Sequence, residues 1–291
     1  MNWDLFVQLL ASGVVLGSTY ALLGVSMSLI YATTRIFHLA HAAVYAVAAY
    51  AAVFAVHTMK LPLVPGLLFG IVVATALGVG IDRFGYATLR RRQSSSMVTF
   101  LFSLGLSIIA PNLLQITFGP DSYPLPGFPH HTLTFGVVRL TVLDLVVVAV
   151  SWACVAAVAI WLARSRYGRA ITAVRTNEQM AVAVGVRVSR VYQIVFATGS
   201  ALAAIAALLY TMGSVAQPNM GLEPILLAFV AVFIGGVGNT TGAAVGGLLL
   251  GIATDVSGVW LSSKYASAAA FVVLFVVLIV RPKGLFVRGR A

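Results

Sequence analysis

Along this 291-residue chain the apolar positions form long unbroken runs, and the charged ones gather in short clusters between them. Residues 5–34, 36–59, 61–81, 93–120, 145–163, 191–222, 224–254 and 265–280 hold no Asp, Glu, Lys or Arg. An α-helix needs about 20 mostly apolar residues to cross a hydrocarbon core roughly 30 Å thick. Most of the runs reach that length, and 265–280 is short but usable. Backbone groups in lipid must bond within the protein, so only helices and closed barrels span it. Barrel strands would alternate apolar and polar over about ten residues, and stretches such as 145–150 and 271–280 do not. The pattern predicts an all-α polytopic membrane protein, a single membrane domain over 1–291. Its helices are expected near 5–31, 38–57, 63–81, 96–116, 142–163, 191–212, 224–238, 241–256 and 266–280, about 8–9 transmembrane segments.

The clusters between the runs set an orientation. With the N-terminus outside and sides alternating, the inner segments hold Arg35; Arg83, Arg90, Arg91 and Arg92; Arg164, Arg166, Arg169, Arg175, Arg187 and Arg190; and Arg281, Lys283, Arg288 and Arg290. Only Lys60, Arg139 and Lys264 fall outside. Cytoplasmic loops carry the excess of Lys and Arg, so the N-terminus is expected outside and the C-terminus in the cytoplasm. The same rule bears on 224–256. One crossing there would send the last basic cluster outside. Two short segments broken at Gly235-Gly236-Val237-Gly238-Asn239 keep it inside. Glycine-interrupted segments are tolerated where protein or a cavity covers the loosened backbone. Gly235, Gly236, Gly238, Asn239 and Gly242 are therefore candidates for a translocation path or gate, with close helix packing as the other reading. The pairs Gly13/Gly17, Gly66/Gly70, Gly242/Gly246 and Gly247/Gly251 sit at the spacing that lets helix backbones approach in lipid, and are read as packing.

Composition agrees with this picture. The chain is 60% hydrophobic and 9% charged, against about 25% charged in soluble domains. Its net charge of +11 lies in short loops between apolar runs, which argues against nucleic acid as a partner. The start, Met1-Asn2-Trp3-Asp4, lacks the basic stretch of a cleavable signal peptide, so the first run is expected to remain a membrane helix. Cys154 is the one cysteine, inside an apolar run, and is read as a small packed side chain.

No catalytic constellation is present in the sequence. Asp4, Asp82, Asp121, Asp144, Glu178, Glu223 and Asp255 all fall in loops or near the ends of runs, away from mid-span positions where ion-coupled transporters place ionisable groups. His38 and His41 lie one turn apart at the start of the second run without a carboxylate or Cys beside them, so a metal site is not the favoured reading. His130 and His131 fall in a long outer loop and are expected to be solvated. A phosphate-binding loop needs Gly-Lys followed by Ser or Thr, and no Gly-Lys occurs. The chain is thus not read as an enzyme, no cofactor is expected, and any ATP must be handled by another chain.

The longest inner segment is 164–190, with six arginines and two helix-forming stretches, 169–175 and 177–184. Asn177 is placed to cap the second, Glu178 lies near its positive end, and Gly185 lets the chain turn out. Such a helix fits the groove of an ATPase, or lies on anionic membrane lipid through its arginines. Composition alone leaves both open.

Several stretches in order resemble the permease subunits of branched-chain amino acid ABC transporters, the LivH type, over nearly the whole chain. Gly17-Ser18-Thr19-Tyr20-Ala21-Leu22 and Leu29-Ile30-Tyr31 are similar to that family's opening helix. His38-Leu39-Ala40-His41-Ala42 stands where the family shows Asn-x-Ala-His-Gly, matching at Ala40 and His41. Gly168-Arg169-Ala170-Ile171 and Gln179-Met180-Ala181 with Gly185 resemble the coupling loop. Its general pattern is Glu-Ala-Ala-x-x-x-Gly, with Gln179 and Met180 replacing the first two residues. Pro218-Asn219-Met220-Gly221, Ala228-Phe229, Gly235 to Asn239, Gly242-Ala243, Gly246-Gly247 and Arg281-Pro282-Lys283-Gly284-Leu285-Phe286 complete the series. The resemblance implies a permease subunit of an importer in the bacterial inner membrane. It would pair with a second permease in a homo- or heterodimer, receive solute from a periplasmic binding protein, and dock ABC ATPase subunits through Gly168, Arg169, Gln179, Ala181 and Gly185. An ATP-independent secondary transporter or channel for small solutes is the alternative.

Overall fold

The structure is a computed structural model. It describes residues 3–125, 131–259, 266–281 and 284–286. His130, Lys264, Pro282, Lys283, Arg288 and Arg290 lie outside the described residues. Each predicted run is a helix: α1 (Trp3–Thr34), α2 (His41–His57), α3 (Leu63–Gly80), α5 (Ser96–Phe118), α6 (Val142–Arg164), α9 (Val188–Gly213), α10 (Leu222–Gly235), α11 (Thr240–Ser257) and α12 (Ala266–Val280). Between α3 and α5 lie a π-helical turn, Ile81–Tyr86, and the short α4 (Ala87–Arg91). Two further short helices fill the inner loop, α7 (Arg166–Thr176) and α8 (Glu178–Ala183). Among the described residues six helices are long and apolar enough to cross a membrane: α1, α5, α6, α9, α11 and the continuous rod Leu63–Arg91. His41–His57, Leu222–Gly235 and Ala270–Val280 are shorter apolar helices.

By its internal packing the chain divides into two compact units. The first comprises residues 1–28, 128–157 and 226–291. Its core gathers Tyr20, Leu227, Val230, Ala231, Ile234, Leu250 and Ala270. A side chain at Gly17 would put its Cβ 2.6 Å from the Leu248 carbonyl oxygen, so α1 and α11 meet backbone to backbone. Packing in lipid lacks a hydrophobic drive between helices, and such close approach supplies dispersion contact instead. The unit also holds a hairpin of β2 (Thr132–Phe135) and β3 (Val138–Thr141), following β1 (Tyr123–Pro124) of the other unit. Asp144 accepts from the Thr141 amide at 2.7 Å and Thr141 Oγ1 accepts from the Asp144 amide at 3.1 Å. This reciprocal cap starts α6 directly after the hairpin.

The second unit comprises 29–127 and 158–225. Here α2, α3 and α9 pack together, with α5 against α2. Most of α2 is buried, so this short helix is the centre of its unit. At Gly70 an added Cβ would lie 2.6 Å from the Ala48 carbonyl oxygen, which is the packing role expected of Gly66 and Gly70. A two-residue pairing joins β1 to β4 (Val215–Ala216).

Candidate functional site

The predicted coupling loop forms a tight helical hairpin. Ser165 caps α7 by accepting from the Gly168 amide at 2.9 Å. Gly168 is required because a Cβ there would collide with the backbone of Leu162. Gly168, Ile171 and Val174 form the buried stripe of α7 at helical spacing, while Arg169 is exposed. Asn177 caps α8 by accepting from the Met180 amide at 2.9 Å, as its sequence position predicts. The helix closes with a left-handed Gly185, φ +85°. The Gly185 amide donates to Val182 and the Val186 amide to Ala181, both at 2.9 Å, the paired bonds that terminate a helix at glycine.

The five predicted coupling residues are thus brought together on one hairpin, but they do not share one surface. Ala181 is 2% exposed and Gly168 is buried, whereas Arg169, Gln179 and Gly185 are open. The apolar side chains most exposed on the hairpin are Met180, Val182 and Val184, at 62%, 58% and 71%. Sequence reading passed over these three, although three exposed apolar side chains on a loop of arginines are themselves a signal.

A chain of polar contacts leads from this hairpin into the unit. The Glu178 carboxylate lies beside the Tyr192 hydroxyl. Arg90 lies over the Tyr192 ring, 4.5 Å from its centroid, and pairs with Asp82 at 2.7 Å. Asp82 is 1% exposed, so a carboxylate that reads as a loop residue is a buried partner. Farther in, Ser103 Oγ accepts from the Ala40 amide at 2.9 Å, beside the Tyr86 hydroxyl. Tyr86 lies 2.8 Å from His38 Nδ1, and the His38 and His41 rings are 5.2 Å apart. Both histidines are fully buried. The His38–Tyr86 pair holds the α1–α2 turn to the π-turn. No group of three or more metal-ligating side chains occurs among the described residues.

The glycine break lies in the first unit. α10 ends at Gly235, and Asn239 caps α11 by accepting from the Gly242 amide at 3.0 Å. Gly236 and Gly238 take φ values of +100° and +93°, open to glycine at little cost. Gly235 and Gly242 face each other across the turn, where either Cβ would collide with the other's backbone. The chain after α12 closes over the break. The Leu285 amide donates to Ile234 at 2.9 Å and the Phe286 amide to Gly235 at 3.3 Å. Asn239 Nδ2 donates to the Phe286 carbonyl at 3.1 Å, and Gly284 packs on Gly236. The tail thereby supplies donors to the carbonyls that end α10.

Residues 9–280 match the family model for the branched-chain amino acid transport system permease component. The chain is 32% identical to the high-affinity branched-chain amino acid transport system permease protein LivH of Escherichia coli (strain K12), covering 97% of this chain and 96% of that protein. Against LivH of Salmonella typhimurium the identity is 31% over the same shares. Against BraD of Pseudomonas aeruginosa it is 29%, again 97% of this chain and 96% of the relative. Among solved structures the chain aligns with PsaBC from Streptococcus pneumoniae in complex with Fab at 13% identity and a TM-score of 0.48, covering 97% and 94%, a likeness too slight to establish a shared fold. Together with the apolar helices, the relatives make this a multi-pass protein of the inner membrane. The match of 272 residues, 9–280, to one family model means that the chain belongs to the branched-chain amino acid transport system permease family.

Proposed function

We propose that this chain is the membrane permease subunit of an ABC importer, moving branched-chain amino acids or a related small solute across the inner membrane. Separate ATPase subunits power it, a second permease subunit completes the pathway, and a periplasmic binding protein delivers the solute. In this reading nine helices cross the bilayer, with the N-terminus outside and the coupling hairpin, the glycine break and the C-terminus in the cytoplasm. The whole chain acts as one permease domain.

The observation that carries the reading is the α7–α8 hairpin, capped at both helix starts, closed at Gly185, and presenting Met180, Val182 and Val184 to solvent. ATP binding can shift a permease only if the docked ATPase contacts two states unequally, and a rigid hairpin transmits that difference. Arg169, Gln179 and Gly185 border the contact, and Gly168 and Ala181 hold its base. For a zwitterionic solute, backbone dipoles suit the path better than fixed charge. The break from Gly235 through Gly236, Gly238 and Asn239 to Gly242 is proposed as its cytoplasmic end, closed by the tail at Gly284 to Phe286. The tail must then shift for that backbone to face the solute.

The test is purification of the tagged chain from its own membrane in mild detergent. An ATPase subunit and a permease of similar size are expected to accompany it. Val184→Glu is expected to lose the ATPase while keeping the partner permease. Recovery of the chain alone, with uptake in ATP-free vesicles, would overturn the assignment in favour of a secondary transporter.

A further inference from the structure

A cavity of about 590 Å³ opens beside the end of α1, the turn after it and the start of α5. Its walls include Arg35, Arg90, Ser94, Ser96 and Thr99, with Phe37 and Phe100 also lining it. No carboxylate is among the lining residues. The Asp82 pairing uses only Nη2 of Arg90, and Nη1 is buried with no hydrogen-bond partner among the described residues. The Arg90 side chain as a whole is still 29% exposed, and its charge reaches the cavity it lines. A third guanidinium, Arg175, sits half-buried near Arg35. Burial and that like charge both push Arg175 below its usual pKa, yet an arginine stays charged in proteins. Asp82 offsets one of these three charges, so positive charge remains in excess here.

The start of α5 points the same way. Ser95 Oγ accepts from the Val98 amide and the Ser95 carbonyl from the Thr99 amide. The Ser96 and Met97 amides lie in the first turn, where helix geometry provides no acceptor, and such a terminus favours an anion. The cavity volume falls within the range of about 300–1,000 Å³ typical of small-molecule sites, ample for a phosphodiester with its glycerol. Met97, Leu101 and Ile108 continue along α5 as exposed apolar side chains, a track for acyl chains. Basic pockets between membrane helices at the cytoplasmic face recognise anionic headgroups in this manner.

We infer that this cavity is a headgroup site for an anionic phospholipid of the inner leaflet, its phosphodiester held by Arg35, Arg90 and the start of α5. The inference rests on the cytoplasmic placement of this turn and not on the solute or the ATPase.

The test uses the full-length chain with whatever subunits purify with it. Thermal unfolding is followed against dioctanoyl phosphatidylglycerol, dioctanoyl phosphatidylcholine and inorganic phosphate. Phosphatidylglycerol is expected to stabilise most. Arg35→Gln should weaken its apparent affinity about tenfold, the size of one lost charge-assisted hydrogen bond. Ser96→Glu should abolish it while leaving α5 intact, since a carboxylate in the first turn suits the helix dipole. Equal stabilisation by inorganic phosphate would overturn the lipid as the source, and unchanged lipid affinity in both variants would overturn the site. Loss of the ATPase from Arg35→Gln with lipid affinity unchanged would reassign the arginine to a protein contact. Because lipid binding is read on the chain itself, failure of the importer reading shows separately, as absence of an ATPase in the purified material.

Discussion

At Gly70 two residue-level effects oppose each other. Alanine is the better helix former by about 1 kcal/mol, so on propensity alone Gly70→Ala would stabilise α3. Its Cβ would stand 2.6 Å from the Ala48 carbonyl oxygen, and forcing an extra carbon into a packed interface costs about 1–3 kcal/mol. Packing should win, and Gly70→Ala is expected to lower the unfolding temperature in detergent. A rise would show that α2 and α3 are not in backbone contact. Asp82 and Arg90 offer a sharper case. Removing either partner leaves a buried charge or donor unpaired, at about 1–3 kcal/mol here, since the Arg90 side chain is 29% exposed and reaches some water. Asp82→Asn and Arg90→Gln should each destabilise, and the double variant should cost less than their sum. Strict additivity in that cycle would mean that the ion pair contributes nothing. The pair was hidden from sequence reading because an α-helix turns residues eight apart to faces about 80° from each other. The π-turn between them narrows that angle, and nothing in Ile81-Asp82-Arg83-Phe84-Gly85-Tyr86 announces a π-turn.

Among elements, the helices were written plainly in the charge-free runs, because lipid leaves the backbone few alternatives. The cap at Asn177 is a side chain acting on an amide three residues away, so short-range sequence exposes it; the same role of Asn239 was not read from the sequence. Contacts over long separations were not visible. Sequence marked the C-terminal Gly284-Leu285-Phe286 only as a family feature, yet it closes the end of α10 from about fifty residues away. Asn239 does two jobs there, accepting from Gly242 and donating to Phe286. Asn239→Asp keeps the cap and adds charge favourable to a helix start, but it cannot donate. Asn239→Ala loses both, with the cap worth about 1 kcal/mol. Amide exchange should separate them: Asp speeds exchange at Leu285 and Phe286 alone, whereas Ala also frays the first turn of α11. Identical exchange patterns for the two variants would show that the tail is not held by Asn239.

For the whole molecule, the arrangement across the membrane follows from counting crossings, and the count turns on the break in 224–256. If α10 and α11 each cross, the β2–β3 hairpin faces the periplasm while the α7–α8 hairpin and the tail face the cytoplasm. If the two make one crossing, the α7–α8 hairpin keeps its side and the tail changes sides. Cys154 is the one native cysteine, so Cys154→Ala provides a background in which a single introduced thiol reports its own side. Val137→Cys at the hairpin turn and Gln179→Cys on α8 both replace exposed residues. On intact cells with a permeable outer membrane, an impermeant maleimide should label position 137. It should reach position 179 only after the inner membrane is opened. Leu285→Cys, also exposed, then decides the count. Labelling only after opening requires α10 and α11 to cross separately, and keeps Lys and Arg concentrated on the inner side as membrane insertion favours. Labelling on intact cells would join 224–256 into one span and place the tail, with its bonds to Ile234 and Gly235, on the periplasmic side. The glycine break could not then be the cytoplasmic end of the path.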